Sequence, residues 1–256
     1  MNIHHAERAH GTIRTQLYGG EALDLERAVR ACPALQLVDE SPDVIVCFGG
    51  DGTLLTAERQ WPGIPKVPIR NSRRGIRCIG RPPQEVFQRL AEGSLHRNEY
   101  TKLSCRITYG NHGRATETLT AMNEFNVHMG HVNSAVRFNI TFDDEPYDIG
   151  RELLGDGFVV CTPFGSTAYF KQITRGILYT GLGIGFKFPS DQLNHIVVPD
   201  STVIHARITR GPAVLAFDNA PEYLDLSEGD ELQIHRHAEP AVILTWDAMR
   251  FQSDSF

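Results

Sequence analysis

The hydrophobic and polar positions change rhythm near residue 99. Before it, helical and strand periods alternate. EALDLERAVRAC (21–32) sets Ala22, Leu25, Ala28, Val29 and Cys32 on one face, which predicts an amphipathic helix that Pro33 stops. LQLV (35–38) predicts a short strand. DVIVCF (43–48) is an unbroken apolar run, as expected of a strand buried on both faces of a parallel sheet. TLLTAERQ (53–60) and PQEVFQRLAEG (83–93) return to helical spacing, the second closed by Gly93. Ahead of these, Ile13, Thr15 and Leu17 alternate only weakly and predict a short edge strand, so a clear first strand is missing from the pattern.

After residue 99 the period becomes two. KLSCRITYG, TETLTAMNEFNVH, AVRFNITFDDEPYD, GFVVCTP, STVIHARIT, AVLAFDN, DELQIHRH and AVILTW follow one another between turn residues, and YGNHG and FDDEPYD predict hairpin turns. The pattern divides the chain into an α/β domain, residues 1–98, and a β-rich domain, residues 99–256.

Composition narrows the function. The 41% hydrophobic content of 256 residues supports a sizeable core, yet no apolar run reaches the roughly 20 residues that span a bilayer. MNIHHAERAHG does not read as a secretory signal, and no membrane association is expected. Five scattered cysteines without a C-x-x-C pair suggest reduced thiols in a cytoplasm. A net charge of −6 disfavours nucleic acid as a partner. Neither the H-x-x-H of His128 and His131 nor the alternating His235 and His237 has a third ligand nearby, and His4, His5 and His10 lie in the weakly patterned start, so no metal ligand set is expected.

Chemistry concentrates in three stretches. The apolar run 43–48 ends in Gly49-Gly50-Asp51-Gly52-Thr53, where an open α/β sheet binds ligands and glycines admit a phosphate to the backbone. It lacks the lysine of a Walker loop and presents a carboxylate instead. Asp51 could accept a proton from an attacking hydroxyl, hold a ribose or bind Mg²⁺; it could equally cap the following helix. The second stretch, GDGFVVCTPFGSTAYF (155–170), carries Asp156 and ends a strand in Thr162, Gly165, Ser166, Thr167, Ala168 and Tyr169, a polar turn ahead of a helix start or a plain hydroxyl-capped β-turn. The third is Asn123-Glu124, an amide and an acid that can read a heterocycle edge or simply end a strand.

In this order and spacing, GGDGT, NE and DG…TPFGSTAY resemble the NAD kinase family, over roughly residues 43–245. Diacylglycerol kinases, sphingosine kinases and 6-phosphofructokinases share the first motif; TPxGSTAY is specific to NAD kinases. The resemblance implies an N-terminal α/β domain and a β-rich C-terminal domain. It implies transfer of a phosphoryl group from ATP, or polyphosphate, to the 2′-hydroxyl of NAD, with Mg²⁺ accompanying ATP. Asp51 then matches the acid near the reacting hydroxyl, Gly49, Gly50, Gly52 and Thr53 the phosphate loop, and Asn123 and Glu124 the pair that holds the dinucleotide. Asp156 matches the second acid, Thr162, Gly165 and Ser166 the turn, and Thr167, Ala168 and Tyr169 the adenosine wall. A homo-oligomer is expected on the same ground.

The chain also departs from the family. The segment that follows GGDGT, usually G-x-N-x-G-x-L-G-F, is IRNSRRGIRCIGR (69–81). Asn71 fits, but Arg70, Arg73 and Arg74 stand among further arginines, as a solvated basic loop or as a phosphate clamp. Phe164 replaces a small residue, Arg175 replaces a glycine, YTGLGIGFKFP (179–189) reads as a mobile loop or a tight turn, and the late Asp-Gly turn becomes Phe217-Asp218-Asn219. Two alternatives therefore stand beside NAD phosphorylation: another hydroxyl acceptor, or a nucleotide-binding sensor without catalysis.

Overall fold

The computed structural model describes residues 11–73, 75–110, 114–187 and 193–248. Two compact units emerge. One comprises the chain through Glu99 together with the stretch from Val242, the other Tyr100–Ala241. The second boundary corrects the expected division, which kept all of 99–256 together. The strand read in AVILTW, Ala241–Thr245, leaves the β-rich unit and pairs in parallel with a strand of the first.

The first unit is built on β1 (Ile13–Tyr18), β2 (Leu35–Leu37), β3 (Val44–Gly49), β4 (Lys66–Arg70) and β5 (His96–Tyr100). The sheet order is β2-β1-β3-β4, then Ala241–Thr245, then β5. β1 is an interior strand, parallel to both β2 and β3, and not the edge strand its weak alternation suggested. Its polar Thr15 is fully buried and hides the apolar character of its neighbours from the pattern. Helices α1 (Glu26–Arg30) and α3 (Pro83–Ala91) cover one face, Val29, Val86, Phe87 and Leu90 packing on Val44, Val46, Val67 and Ile69. The expected helix 21–32 is split, a 3-10 turn at Ala22–Leu25 preceding α1. α2 (Asp51–Gln60) packs on β3 and β4, and its buried Glu58 pairs with Lys66 of β4, whose ammonium also donates to the carbonyl of Trp61 at 2.6 Å.

The second unit is antiparallel throughout its resolved pairings. β6 (Leu103–Thr108), β7 (Glu117–Ala121), β9 (Val136–Phe142), β10 (Glu145–Pro146), β11 (Leu153–Gly155), β15 (Ile204–Arg210) and β18 (Glu231–Arg236) form one sheet. β14 (His195–Val198), β13 (Leu182–Lys187), β12 (Gly157–Cys161), β8 (Glu124–Met129), β16 (Ala213–Phe217) and β17 (Leu224–Leu226) form the other, in that order. One apolar core draws Leu103, Cys105, Phe138 and Ile204 from the first and Phe125, Val127, Phe158 and Ile184 from the second. FDDEPYD turns between β9 and β10 as expected. YGNHG joins the paired β6 and β7, with residues 111–113 outside the described residues.

Period two decides which face carries chemistry. On β8, Phe125 and Val127 face the core, so Glu124 and Asn126 face outward. Register places Cys161 and Val159 of β12 beside them, and Gly183, Gly185 and Lys187 of β13 beyond. Helix α4 (Tyr169–Thr174) lies on this outer face. A Cβ at Gly183 would stand 3.0 Å from Phe170, and one at Gly185 2.9 Å from Ile173. Gly183 and Gly185 of YTGLGIGFKFP are thus packing positions in a buried strand and not part of a mobile loop, while Gly181 ahead of it turns the chain at φ 78°.

Candidate functional site

The candidate residues fall into two groups, one in each unit. In the first, β3 runs straight into the Gly49–Thr53 loop and α2 begins at Asp51. Asp51 does not cap that helix with its side chain. Its carboxylate instead accepts the backbone N–H of Arg77 at 2.9 Å and of Ile76 at 3.2 Å, and the Cys78 thiol lies 3.7 Å away. Burial, then the Asp51 charge, pushes that thiol up to about 12. The acid of GGDGT therefore anchors the arginine-rich segment, and two ionised oxygens with four lone-pair positions still leave it accepting capacity.

Asn71 closes the loop from the other side. Its N–H donates to the Gly49 carbonyl at 2.7 Å and its amide to Glu21 at 2.6 Å. A Cβ at Gly50 would meet the Ser72 hydroxyl at 2.8 Å, which leaves no room for a side chain there. Arg70 and Arg73 are exposed, the Arg70 guanidinium lying along Gly80. Arg74 lies outside the described residues. Arg81 stands 5.3 Å over the Trp246 ring, which also stacks on Arg89 at 3.8 Å, so this arginine is engaged within the fold.

In the second unit one hydroxyl ties the two motifs together. Thr162 donates from Oγ1 to the Met122 carbonyl at 2.7 Å and accepts the Gly165 N–H at 3.0 Å, while its own N–H donates to the Asn123 carbonyl at 2.9 Å. A Cβ at Gly165 would fall 2.2 Å from that same Asn123 oxygen, so only glycine lets the TPFGSTAY turn lie on the NE turn. Ser166 is buried; its hydroxyl donates to the Pro163 carbonyl at 2.8 Å and accepts the Leu178 N–H at 3.2 Å. Thr167 donates to the Phe164 carbonyl at 3.3 Å, and Ala168 precedes α4. Phe164 is itself buried, edge-on to Tyr100 with centroids 4.9 Å apart, and so packs. Arg175 ends α4 in the left-handed region at φ 62°, the conformation glycine adopts most readily.

Asp218, read in the sequence only as a turn residue, is one residue whose role that reading missed. Its carboxylate accepts the N–H of Asn123 at 2.6 Å, of Met122 at 2.9 Å and of Glu124 at 3.4 Å. Nearly a hundred residues separate the partners, so no local signal exposes the contact. Glu124 is buried, and its Oε2 has no hydrogen-bond partner among the described residues. Burial, and then the Asp218 charge, pushes its carboxyl up to about 8. Lys187 was also missed. Its buried ammonium donates to Asn126 and to the Val127 carbonyl, sits 5.4 Å from the Tyr169 ring, and is pushed down to about 7 by burial against the opposing pull of Asp156. Asp156 is fixed by its backbone, donating to Lys187 and accepting from Met129, both at 2.9 Å. Gly157 beside it sits at φ 122°, where a Cβ would fall 2.2 Å from the Val127 carbonyl. Burial, with the charges of Asp156 and Glu124, raises the Tyr169 hydroxyl. Asn123, Glu124, Asp156 and the 162–169 turn are thus gathered on one outer sheet face around an acid, a phenol and an amine.

Among the described residues no group of three His, Cys, Asp or Glu side chains could hold a metal ion. No helix among them is long and apolar enough to cross a membrane.

No family model matches the sequence. Curated relatives do. The NAD kinase of Methylococcus capsulatus is 28% identical over 214 residues, 79% of this chain and 71% of that protein. The NAD kinase of Aromatoleum aromaticum is 26% identical over 225 residues, 84% of this chain and 72% of that protein. Among solved structures, the yeast NADH kinase complexed with NADH superposes with a TM-score of 0.82 at 17% identity, covering 93% of this chain and 84% of that one. An NAD kinase from Archaeoglobus fulgidus in complex with ATP gives 0.73 at 19% identity, covering 91% and 94%.

Proposed function

The chain belongs to the NAD kinase family and is a kinase, and from that premise we propose that it transfers the γ-phosphoryl of ATP to the 2′-hydroxyl of NAD, giving NADP. The carrying observation is the second-unit face, where Thr162 and Gly165 bind the TPFGSTAY turn to Asn123 and Asp218 holds the Asn123-Glu124 backbone. A rigid amide, two acids and an aromatic suit a nucleoside better than a lipid. In this reading Asn123, Glu124, Asp156 and the Thr167–Tyr169 wall hold the dinucleotide. Gly49, Gly50, Gly52 and Thr53 approach phosphates, with Arg70 and Arg73 as clamps.

Asp51 is the catalytic base. Its carboxylate takes the proton of the attacking hydroxyl, the oxygen bonds to the γ-phosphorus, and the bond to the leaving ADP breaks. Mg²⁺ bound with ATP would supply positive charge to offset that of its phosphates. A general base contributes about 10²–10⁴-fold. Copies of the chain assemble in a reducing cytoplasm, which suits its free cysteines.

The test is NADP formation from ATP, Mg²⁺ and NAD, read with an NADP-specific dehydrogenase. The expected outcome is a clear rate that Asp51→Asn lowers at least about a hundredfold. Light scattering on the same preparation reads the assembly. NAD binding without turnover would make the chain a sensor, and turnover of another alcohol would move the acceptor.

A further inference from the structure

The least satisfied polar group on the second-unit face is the Glu124 carboxyl. Only 7% of the residue is exposed, and Oε2 is buried without a partner among the described residues. A carboxylate needs cations or N–H donors to stay ionised in such a place. Among the described residues neither is bonded to Oε2. The N–H groups of Met122, Asn123 and Glu124, the donors closest in sequence, are all taken by Asp218. Asp218 brings a negative charge of its own. Lys187, a cation on the same outer face, donates to Asn126 and to the Val127 carbonyl, and no hydrogen bond ties it to Glu124 among the described residues.

Every other titratable group facing Glu124 makes ionisation harder or leaves it unaided. From β12, Cys161 stands opposite in register as a buried thiol. From α4, Tyr169 is a phenol held neutral. Asp156, ahead of β12, is a second acid. His128, two pairs along β8, turns its Nδ1 to the Met129 carbonyl.

We propose that Glu124 works as a neutral carboxylic acid, donating a hydrogen bond to an acceptor atom of the bound ligand while its carbonyl oxygen accepts from an adjacent amino group. A protonated carboxyl presents one donor beside one acceptor. That pair complements an acceptor flanked by an N–H donor, the edge that a 6-aminopurine ring or a carboxamide offers. An ionised carboxylate would offer acceptors alone and would select hydroxyls instead. The choice of recognised edge rests on the nucleotide reading above; the protonation state does not. It also gives the site a direction in pH. The carboxyl, raised to about 8, loses its donor as pH climbs past that value, and ligand affinity falls with it.

Two measurements test this with the full chain, one of them without ligand. Infrared difference spectra between wild type and Glu124→Gln should contain a protonated carboxyl stretch at pH 7 that vanishes through pH 8 to 9. A carboxyl already ionised at pH 6 overturns the proposal. In the second, NAD binding is followed by calorimetry from pH 7 to 9.5. Wild-type affinity should fall at least about tenfold, as expected for one lost proton above its pKa. Glu124→Gln, whose amide keeps a donor and an acceptor at every pH, should change less than about twofold and bind more tightly than wild type at pH 9.5. Lys187 and Tyr169 are common to both proteins, so their titration cancels. Parallel pH profiles for the two proteins overturn the donor role. Wild type that binds no NAD at any pH, yet keeps the infrared titration near 8, overturns the nucleotide reading and leaves the neutral carboxyl standing.

Discussion

Asp218 and Glu124 form an unequal pair on the second-unit face, the first rich in donors and the second without one on its Oε2 among the described residues. Hydrogen bonds to a charged acceptor contribute about 1.5–3 kcal/mol each. Asp218 collects N–H donors from three successive residues, and the backbone that carries Glu124 is held by them. Burial, and then the Asp218 charge beside it, cost Glu124 its own charge, and the cost has a sign in pH. Its carboxyl rises from 4.5 to about 8 on folding. Across that window the folded chain keeps a proton that the unfolded chain has released, so this group's contribution to stability falls as pH rises from 4.5 to 8 and levels off above. Glu124→Gln abolishes the dependence. Urea unfolding at pH 5, 6.5 and 8 should therefore give a variant whose stability relative to wild type grows steadily with pH. An equal difference at all three values would assign Glu124 an ordinary titration. Arg175 makes the opposite kind of demand at the end of α4, since a left-handed residue other than glycine costs about 1–2 kcal/mol.

At the scale of elements, the arginine-rich segment and the Asp51 loop are one device. The segment's backbone hangs from Asp51 through Ile76 and Arg77, and Ile79 bridges to β4 through the Ile69 pairing. Asp51→Asn thus does more than remove a base. An amide presents an NH₂ group where one carboxylate oxygen accepted an N–H, setting donor against donor. Faster tryptic cleavage at Arg73, Arg77 or Arg81 in Asp51→Asn is expected, measured by mass spectrometry under native conditions. Unchanged cleavage would mean the segment is held by its β4 contacts alone. Much of this layer was legible. β3, α2 and α3 follow from an apolar run and two amphipathic stretches, because burial on a sheet imposes those periods. The interior place of β1 and the existence of β4 were not, because Thr15 and Lys66 are polar residues that the fold buries.

Over the whole molecule, the chain's course matters more than any one motif. It builds most of the parallel sheet, makes the antiparallel unit, and then sends Ala241–Thr245 back between β4 and β5. The first unit therefore closes only when the last strand arrives. Ile243 is 1% exposed in that strand. Ile243→Asp buries an unpaired charge in the sheet and should cost more than about 3 kcal/mol. Circular dichroism should register it as lost helical signal, since α1, α2 and α3 all rest on this sheet. Wild-type helical content would show that the sheet closes without Ile243.

The sequence by itself determined the class of both units, the three motif stretches and the family they resemble, because period, turn residues and contiguous motifs are local properties of the chain. It also placed Asn123, Glu124 and the 162–169 turn as candidates. Only the tertiary structure decided what surrounds them: Asp218 gripping the NE backbone from afar, Lys187 delivered by register beside Tyr169, Asp51 anchoring the arginines, and the last strand returning to the first sheet. Each of those depends on which distant residues share a sheet face or a loop. Burial and charge at a site are set by such neighbours, and a one-dimensional pattern carries no record of them.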